Sequence, residues 1–411
     1  MADNGDFMLY GCNLASSERG QALIQDIADF TGCDVAASTN ITGAAALGGD
    51  WVLEYNVGVI ESVNISLNST WNYRLMEYTI DNSSSASNTF ASWDELIDSV
   101  TLQNNDIITF KQHGMINDYV GNLSLTINCG DYSVSGDYTL GNGATLTLSG
   151  TNVGLNVEGK GNLSFTSGEL AGNITVDGNV TIAGEVTGNI SGYSSLTLNS
   201  GASFESLTVA PIQPDSTVAV TVNSGASVKN LTVENNVDST VTVTINDGAD
   251  VNELDLASQA SAFVIMNGGT VGSINHTGSD SLVINAGTVS GALSSDGLGL
   301  VTIKGGTFNG DFTINGGRLD SNTGEISGGL IFNGGEIGVD TAVTLSFSDG
   351  FASFSGGTIN GNFELSGNAN VSLDTTLTYK GSGYAVDISD NSTFILDENG
   401  VIQINGVYGS G

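Results

Sequence analysis

The chain has 411 residues, of which 57 are Gly and only 2 are Pro, and it sets 8 Lys+Arg against 44 Asp+Glu for a net charge of −36. Basic residues are too sparse to neutralise clustered phosphates, which excludes nucleic acid and anionic membrane surfaces as partners. Gly keeps no three-residue period, so collagen is excluded, and 39% apolar residues in alternating runs argue against general disorder.

No run of about 18 apolar residues occurs, so no membrane insertion by a helix is expected. The scarcity of Lys and Arg also leaves an extended extracellular protein few sites for trypsin-like proteases. The opening MADNGDFMLYGCNLA lacks a basic n-region and a long apolar run and is not read as a signal peptide. It reads as a start inside a domain, so a truncated product or a fragment is expected.

Residues 1–61 predict a small, partial α/β segment. Asp6 to Gly11 is a short apolar strand ending in Gly-Cys. Ser16-Ser17-Glu18 offers N-cap chemistry ahead of Ala22, Leu23, Ile27, Ala28 and Phe30, an apolar stripe on a helix of about four turns. Thr31-Gly32 stops that helix, Asp34 to Ser38 predicts the next, parallel strand, and Trp51 to Glu54 predicts another. Strand, helix and strand with short joints make a βαβ unit.

LYGCNLA, GQALIQDIADFTG, DVAAST, TGAAALGGDWVLE and GVIES carry a resemblance. Over about residues 5–60 the chain resembles a bacterial domain of unknown function found near the N-terminus of giant, repeat-rich secreted surface proteins. Cadherin-like and RTX-type adhesins are among them. That family is similar to the caspase-like fold, in which a His-Gly ends one strand and a Cys ends the next. The resemblance implies that Cys12 holds the nucleophile position at the tip of a parallel strand, and that the chain is exported to the bacterial surface or beyond.

A cysteine nucleophile needs a base or cation beside it to become a thiolate. The family's His-Gly segment would lie upstream, and the two histidines present, His113 and His276, both lie beyond the α/β segment. Cys12 is therefore expected to be catalytic only if a missing upstream segment supplies a histidine, and otherwise to be the idle thiol of a caspase-like peptidase remnant. Cys12, Cys33 and Cys129 are too scattered for a disulfide framework or a zinc site, and are expected as buried or idle thiols.

Residues 62–91 predict a linker, on the evidence of Asn82-Ser83-Ser84-Ser85-Ala86-Ser87-Asn88. Residues 92–104 predict a helical cap: Ser92 and Glu95 have capping-box spacing, and Trp93, Leu96, Ile97 and Val100 form an apolar face. Asp106 to Phe110 is then a strand. A short amphipathic helix leading into such a strand is similar to the opening of many right-handed parallel β-helices of the pectin-lyase-like and autotransporter-passenger kind. The open end of a solenoid exposes apolar core and unpaired strand edges, which something must cover.

Residues 105–411 repeat. LTLNSGASFESLTV (196–209), VTVNSGASVKNLTV (220–233) and VTINDGADVNELDL (243–256) align without gaps, with Gly201, Gly225 and Gly248 at one point. A second series runs through Gly269-Thr270, Gly287-Thr288, Gly306-Thr307 and Gly324-Glu325, with weaker copies at Gly168, Gly184, Gly335 and Gly357. Within each copy apolar and polar residues alternate, as in Val218, Val220 and Val222 against Thr217, Ala219 and Thr221, which makes a half-buried strand. Strands this short bury themselves only by stacking, so the fold predicted is mainly β: a right-handed parallel β-helix behind a truncated α/β segment. Roughly 14–16 rungs at about 4.8 Å would give a rod on the order of 70 Å.

Solenoids also carry polysaccharide lyases and hydrolases, whose chemistry demands particular residues. A lyase needs a base to abstract a proton and carboxylates to hold calcium. Lys160, Lys229, Lys304, Arg318 and Lys380 each stand without a cationic neighbour, Arg318 with Asp320 being the one opposite-charge pairing of note. No repeat position carries an Asp cluster, and NGGTVGSIN lacks the Asp of the calcium-binding nonapeptide. The reading is a non-enzymatic, extracellular or cell-surface, adhesin-like stalk with no cofactor, contacting glycans or a host or neighbouring cell surface. A carbohydrate-active β-helix enzyme is the alternative.

Overall fold

The structure, a computed structural model, describes residues 5–40, 42–43, 49–62, 78–82, 85–90, 93–111, 113–211, 213–235, 238–260, 262–321, 325–326, 329–338, 342–347, 350–379 and 384–404. The chain is mainly β, with parallel stacked coils forming a β-solenoid of about 14 turns. It divides into two compact units, Met1–Ile174 and Thr175–Gly411.

The first unit opens with the predicted βαβ arrangement. Strand β1 (Asp6–Leu9) and strand β2 (Asp34–Ala37) run parallel, Asp6 opposite Asp34 and Leu9 opposite Ala37, joined by helix α1 (Glu18–Thr31). Ser17 is the N-cap: its side chain accepts from the Gly20 N–H at 3.1 Å, satisfying a first-turn donor. Gly32 ends the helix at φ 67°, left-handed backbone that glycine takes without a Cβ penalty. Ile24, Ala28 and, in part, Ile27 pack on Ala15, Val35 and Ala37.

Two details correct the sequence reading. Leu23 and Phe30 are 49% and 92% exposed, so the predicted stripe mixed two helix faces; the buried one runs through Ile24, Ile27 and Ala28. The third strand, β3, is Tyr55–Val57, antiparallel to β2, rather than Trp51 to Glu54. In 51–54 the Val52 N–H is taken by the Asp50 carboxylate (2.8 Å), and Glu54 accepts from the Thr39 N–H (2.7 Å) and the Asn40 amide (2.6 Å). Of these bonds the one at the Val52 N–H takes a ladder donor of the segment.

The span read as a linker also differs. It contains β4 (Tyr78–Asn82) and β5 (Ser85–Phe90), antiparallel to each other, and β4 pairs antiparallel with the first coil strand, β6 (Asp106–Phe110). The edge of β6 takes β4 as its partner, and the Ser- and Asn-rich β5 pairs in turn with β4, so each strand meets the ladder groups of the next. Helix α2 (Trp93–Ser99) falls within the span expected as a cap, with Trp93 and Leu96 buried and Trp93 edge-on to Tyr119 at 5.2 Å. Ser92, and with it the capping box, lies outside the described residues. The coils of this unit then stack in parallel, Ile108 opposite Ile127, Ile127 opposite Leu148 and Leu148 opposite Phe165.

In the second unit the aligned repeats are the spatial register. Leu196, Val220 and Val243 are successive partners, as are Leu207, Leu231 and Leu254. One inward column runs through Val180, Leu196, Val220, Val243, Val264, Leu282, Val301, Leu319, Ile337, Ile359 and Leu377, all buried. Towards the C-terminal coils aromatic rings fill the interior, Phe332 on Phe354 at 6.0 Å and Phe354 on Phe363 at 5.0 Å.

The two glycine series prove to be one face. Glu185, Ser203, Ser227, Asp250, Thr270, Thr288, Thr307 and Glu325 are consecutive partners along it. The later Gly335-Glu336 and Gly357-Thr358 copies belong to a different face, since Glu336 pairs with Arg318 and Thr358 with Glu336. Gly-Thr marks any tight corner ahead of an outward residue, so the dipeptide alone does not say which corner.

Candidate functional site

Cys12 follows β1 in a turn and is buried. Its thiol donates to the Thr42 carbonyl (3.4 Å), and the sulfur accepts from the Thr42 N–H (3.2 Å). Both of its hydrogen-bonding capacities are spent on one residue. No histidine stands in residues 1–61, and His113 Nδ1 is occupied by the Ser133 N–H at 2.9 Å. The other two thiols are buried as well; Cys33 leans on the Thr31 carbonyl, and desolvation pushes Cys129 up to about 12. All three cysteines are unbridged.

Among the described residues, the basic side chains of the repeats fall on separate coils. Lys229 forms an exposed ion pair with Glu205 on the preceding coil, a contact worth under about 1 kcal/mol. Arg318 and Asp320 share the outward side of one strand with Leu319 pointing inward between them. Lys160 and Lys304 are exposed, and Lys380 lies outside the described residues.

The structure assembles three features that residue spacing did not reveal. The first is a ladder of side-chain amides at one corner. Asn223 donates to Asn199 (3.0 Å), Asn246 to Asn223 (2.9 Å), Asn267 to Asn246 (3.4 Å) and Asn285 to Asn267 (2.8 Å). A second, shorter ladder passes from Ser355 to Asn333 (3.0 Å), Asn333 to Asn315 (2.7 Å) and Asn315 to Asp296. An amide both gives and takes, so one Asn per coil continues such a chain indefinitely. The recurring Asn199, Asn223 and Asn246 of the NSG and NDG turns were the available signal.

The second feature is a buried polar core. His276 and Ser295 are successive partners in an inward column that otherwise carries Leu256 before them and Ile314 after. His276 Nδ1 lies 3.0 Å from Ser295 Oγ and Nε2 lies 3.0 Å from the Asp280 carbonyl oxygen. Because a carbonyl only accepts, Nε2 carries the proton and Nδ1 accepts from Ser295. Asp280 turns its carboxylate to the Ser258 N–H (3.0 Å), and Ser258 Oγ accepts from the Asn235 N–H (2.8 Å). These are the residue types of an acyl-transfer triad without its wiring, because the histidine meets Asp280 through the backbone. His276, Asp280 and Ser295 are each no more than 1% exposed, so no polymer can reach them. Burial holds the imidazole below its ordinary pKa, against the opposing effect of the Asp280 charge.

The third feature lies in the α/β segment. Asp6, Asp34 and Glu61 bring carboxylate oxygens within 4.8 Å of one another, the one such group of three found among the described residues. Asp6 accepts from the Ser62 N–H, and hydrogen bonding, the Ser62 side chain first, holds its carboxyl below the ordinary range.

With these positions known, comparison adds one family. Residues 1–76 match a domain of unknown function, DUF4347. That segment contains the βαβ unit, Cys12 and the acidic trio, and leaves the coils outside it. No match to the chain was found among curated proteins or among solved structures.

Proposed function

We propose that this chain is a non-enzymatic, adhesin-like β-solenoid of the bacterial cell surface or extracellular space, whose coils act as a rigid spacer and polar contact face behind the DUF4347 segment. The supporting observation is the unbroken inward column of the second unit. Its ten steps from Val180 to Leu377, at about 4.8 Å each, extend roughly 48 Å through interior residues that a substrate cannot reach. Much of what remains outside is Ser, Thr, Asn and Asp recurring along the coils, a surface suited to many weak contacts with glycans or a neighbouring cell. The resemblance of the first sixty residues to domains of giant surface proteins supports the location.

The test is retention against turnover. Beads coated with the full chain should hold reversibly to a glycan array or to cells and release no unsaturated or reducing sugar ends. Steady release of such ends would sink this reading in favour of a carbohydrate-active enzyme. Antibody labelling of intact producing cells tests location, and a chain detectable only after lysis would refute surface exposure.

A further inference from the structure

We propose that the second unit carries a binding pocket for a neutral saccharide, set in the recess where a short coil meets a longer one. The proposal rests on the adhesin-like reading and supplies it with a site. Ser195 lies 16 residues beyond its stacking neighbour Asn179, whereas Asn223 lies 24 beyond Asn199. Much of the extra length falls between Val209 and Thr217, which contains both prolines of the chain, Pro211 and Pro214. The matching corner one coil earlier is only Gly192 to Ser194, between the strands Ile190–Ser191 and Ser195–Leu198. The longer corner reaches past the shorter one, and a cavity of about 480 Å³ lies between them.

The corner is held in shape before any ligand arrives. Ser216 Oγ and Ser239 Oγ both donate to the Gln213 carbonyl, at 2.7 and 2.8 Å, and the Asp215 N–H donates to the Asp238 carbonyl at 2.7 Å. Asp215 itself sits at φ 57°. A prearranged wall of this kind reduces the ordering cost of binding.

The lining decides the ligand class. Asp177, Ser194, Thr208, Gln213 and Thr217 face the cavity with side chains that hold no hydrogen-bond partner among the described residues. Tyr193 in the wall is 5% exposed and its hydroxyl is also unpartnered. Desolvation raises that phenol above its ordinary pKa, so it stays a neutral donor. Ile190, Pro211 and Val218 supply apolar surface. No Lys or Arg lines the cavity, and the chain carries −36 overall, so a phosphate, sulfate or uronate would find nothing to neutralise it. A neutral sugar fits both halves of this surface: its hydroxyls give and take hydrogen bonds, and its C–H face packs on the apolar patch.

The experiment is saturation-transfer NMR and titration of the full chain with glucose, galactose, mannose, N-acetylglucosamine, lactose and maltose, with glucuronate as the anionic comparison. Ala210→Trp places a large side chain in the cavity, and Gln213→Ala removes one polar group from an exposed position. Ala257→Trp is the control at the equivalent register two coils on, outside the cavity. At least one neutral sugar should bind, with affinity reduced about tenfold or more in Ala210→Trp, several-fold in Gln213→Ala and unchanged in Ala257→Trp. Circular dichroism checks each fold, and Gln213→Ala carries the test if Ala210→Trp unfolds. Binding by no neutral sugar, or binding that neither cavity variant weakens, overturns the pocket. Glucuronate binding as tightly as the best neutral sugar overturns the ligand class. Either failure leaves retention of the whole chain on cells as a separate question.

Discussion

At the scale of single residues, burial decides which reactive groups can act. Cys12 is enclosed and twice bonded to Thr42, and Cys129 is held as a thiol by desolvation. A thiol reagent added to the folded chain should therefore leave Cys12, Cys33 and Cys129 unmodified until denaturant is added. Labelling of Cys12 within the mixing time would restore the nucleophile reading. His276 gives a pH prediction. Its folded pKa lies below the ordinary 6.5 because burial disfavours the imidazolium. The unfolded chain therefore takes up the proton first, so the stability contributed by His276 is complete above 6.5 and is lost as pH falls through the folded value. The urea midpoint should drop between about pH 7.5 and about pH 5.5, and drop less in His276→Gln, which is the weaker protein at the higher pH. Parallel pH profiles for the two proteins would show that His276 is not the titrating group.

At the scale of strands and corners, each coil is stable only as part of the stack. Leu231 is fully buried between Leu207 and Leu254, whereas Thr232 beside it points outward. Leu231→Ala should cost about 2–5 kcal/mol in chemical denaturation and Thr232→Ala under about 0.5 kcal/mol. Similar costs for the two would mean that the alternation does not define inside and outside. Corners are equally constrained. Asn223 sits mid-ladder with partners above and below, so Asn223→Ala should cost about 1–3 kcal/mol by stranding two amide groups. Equal losses for Asn223→Ala and for Asn285→Ala, which removes the ladder bond to Asn267, would argue against a cooperative chain. Gly225 stands at φ 76°, and a Cβ there would come within 2.6 Å of Ser200 Oγ, which accounts for glycine at that point of each aligned copy.

At the scale of the whole molecule, composition and topology act together. With 8 Lys+Arg in 411 residues, and Lys160, Lys229, Lys304 and Arg318 built into ladders of the coils or their tight corners, native chain should survive trypsin for far longer than urea-unfolded chain. Rapid cleavage after Lys229 in native buffer would refute this, because that residue lies within the parallel-paired strand Ser227–Val233. The net charge of −36 acts against compaction, so added salt should raise the thermal midpoint by screening self-repulsion.

Much of this was legible in the residues alone. Period-two alternation and recurring Gly201, Gly225 and Gly248 determined a stacked, parallel β fold and even its register, because each coil repeats the same local problem of one buried side and one tight corner. The N-cap and stop of α1 were equally local. Tertiary structure alone decided the rest. It made strands of Tyr78–Asn82, which pairs with the coil edge at Asp106–Phe110, and of the Ser- and Asn-rich Ser85–Phe90, which pairs in turn with Tyr78–Asn82. It placed Gly335 and Gly357 on another face, joined His276 to Ser295, and opened the recess beside Tyr193. Each of these depends on which residue lies one coil away, and that distance varies from 16 to 25 residues along the stack. A local pattern fixes the inside and outside of a strand, but only the closed coil brings its neighbour into reach.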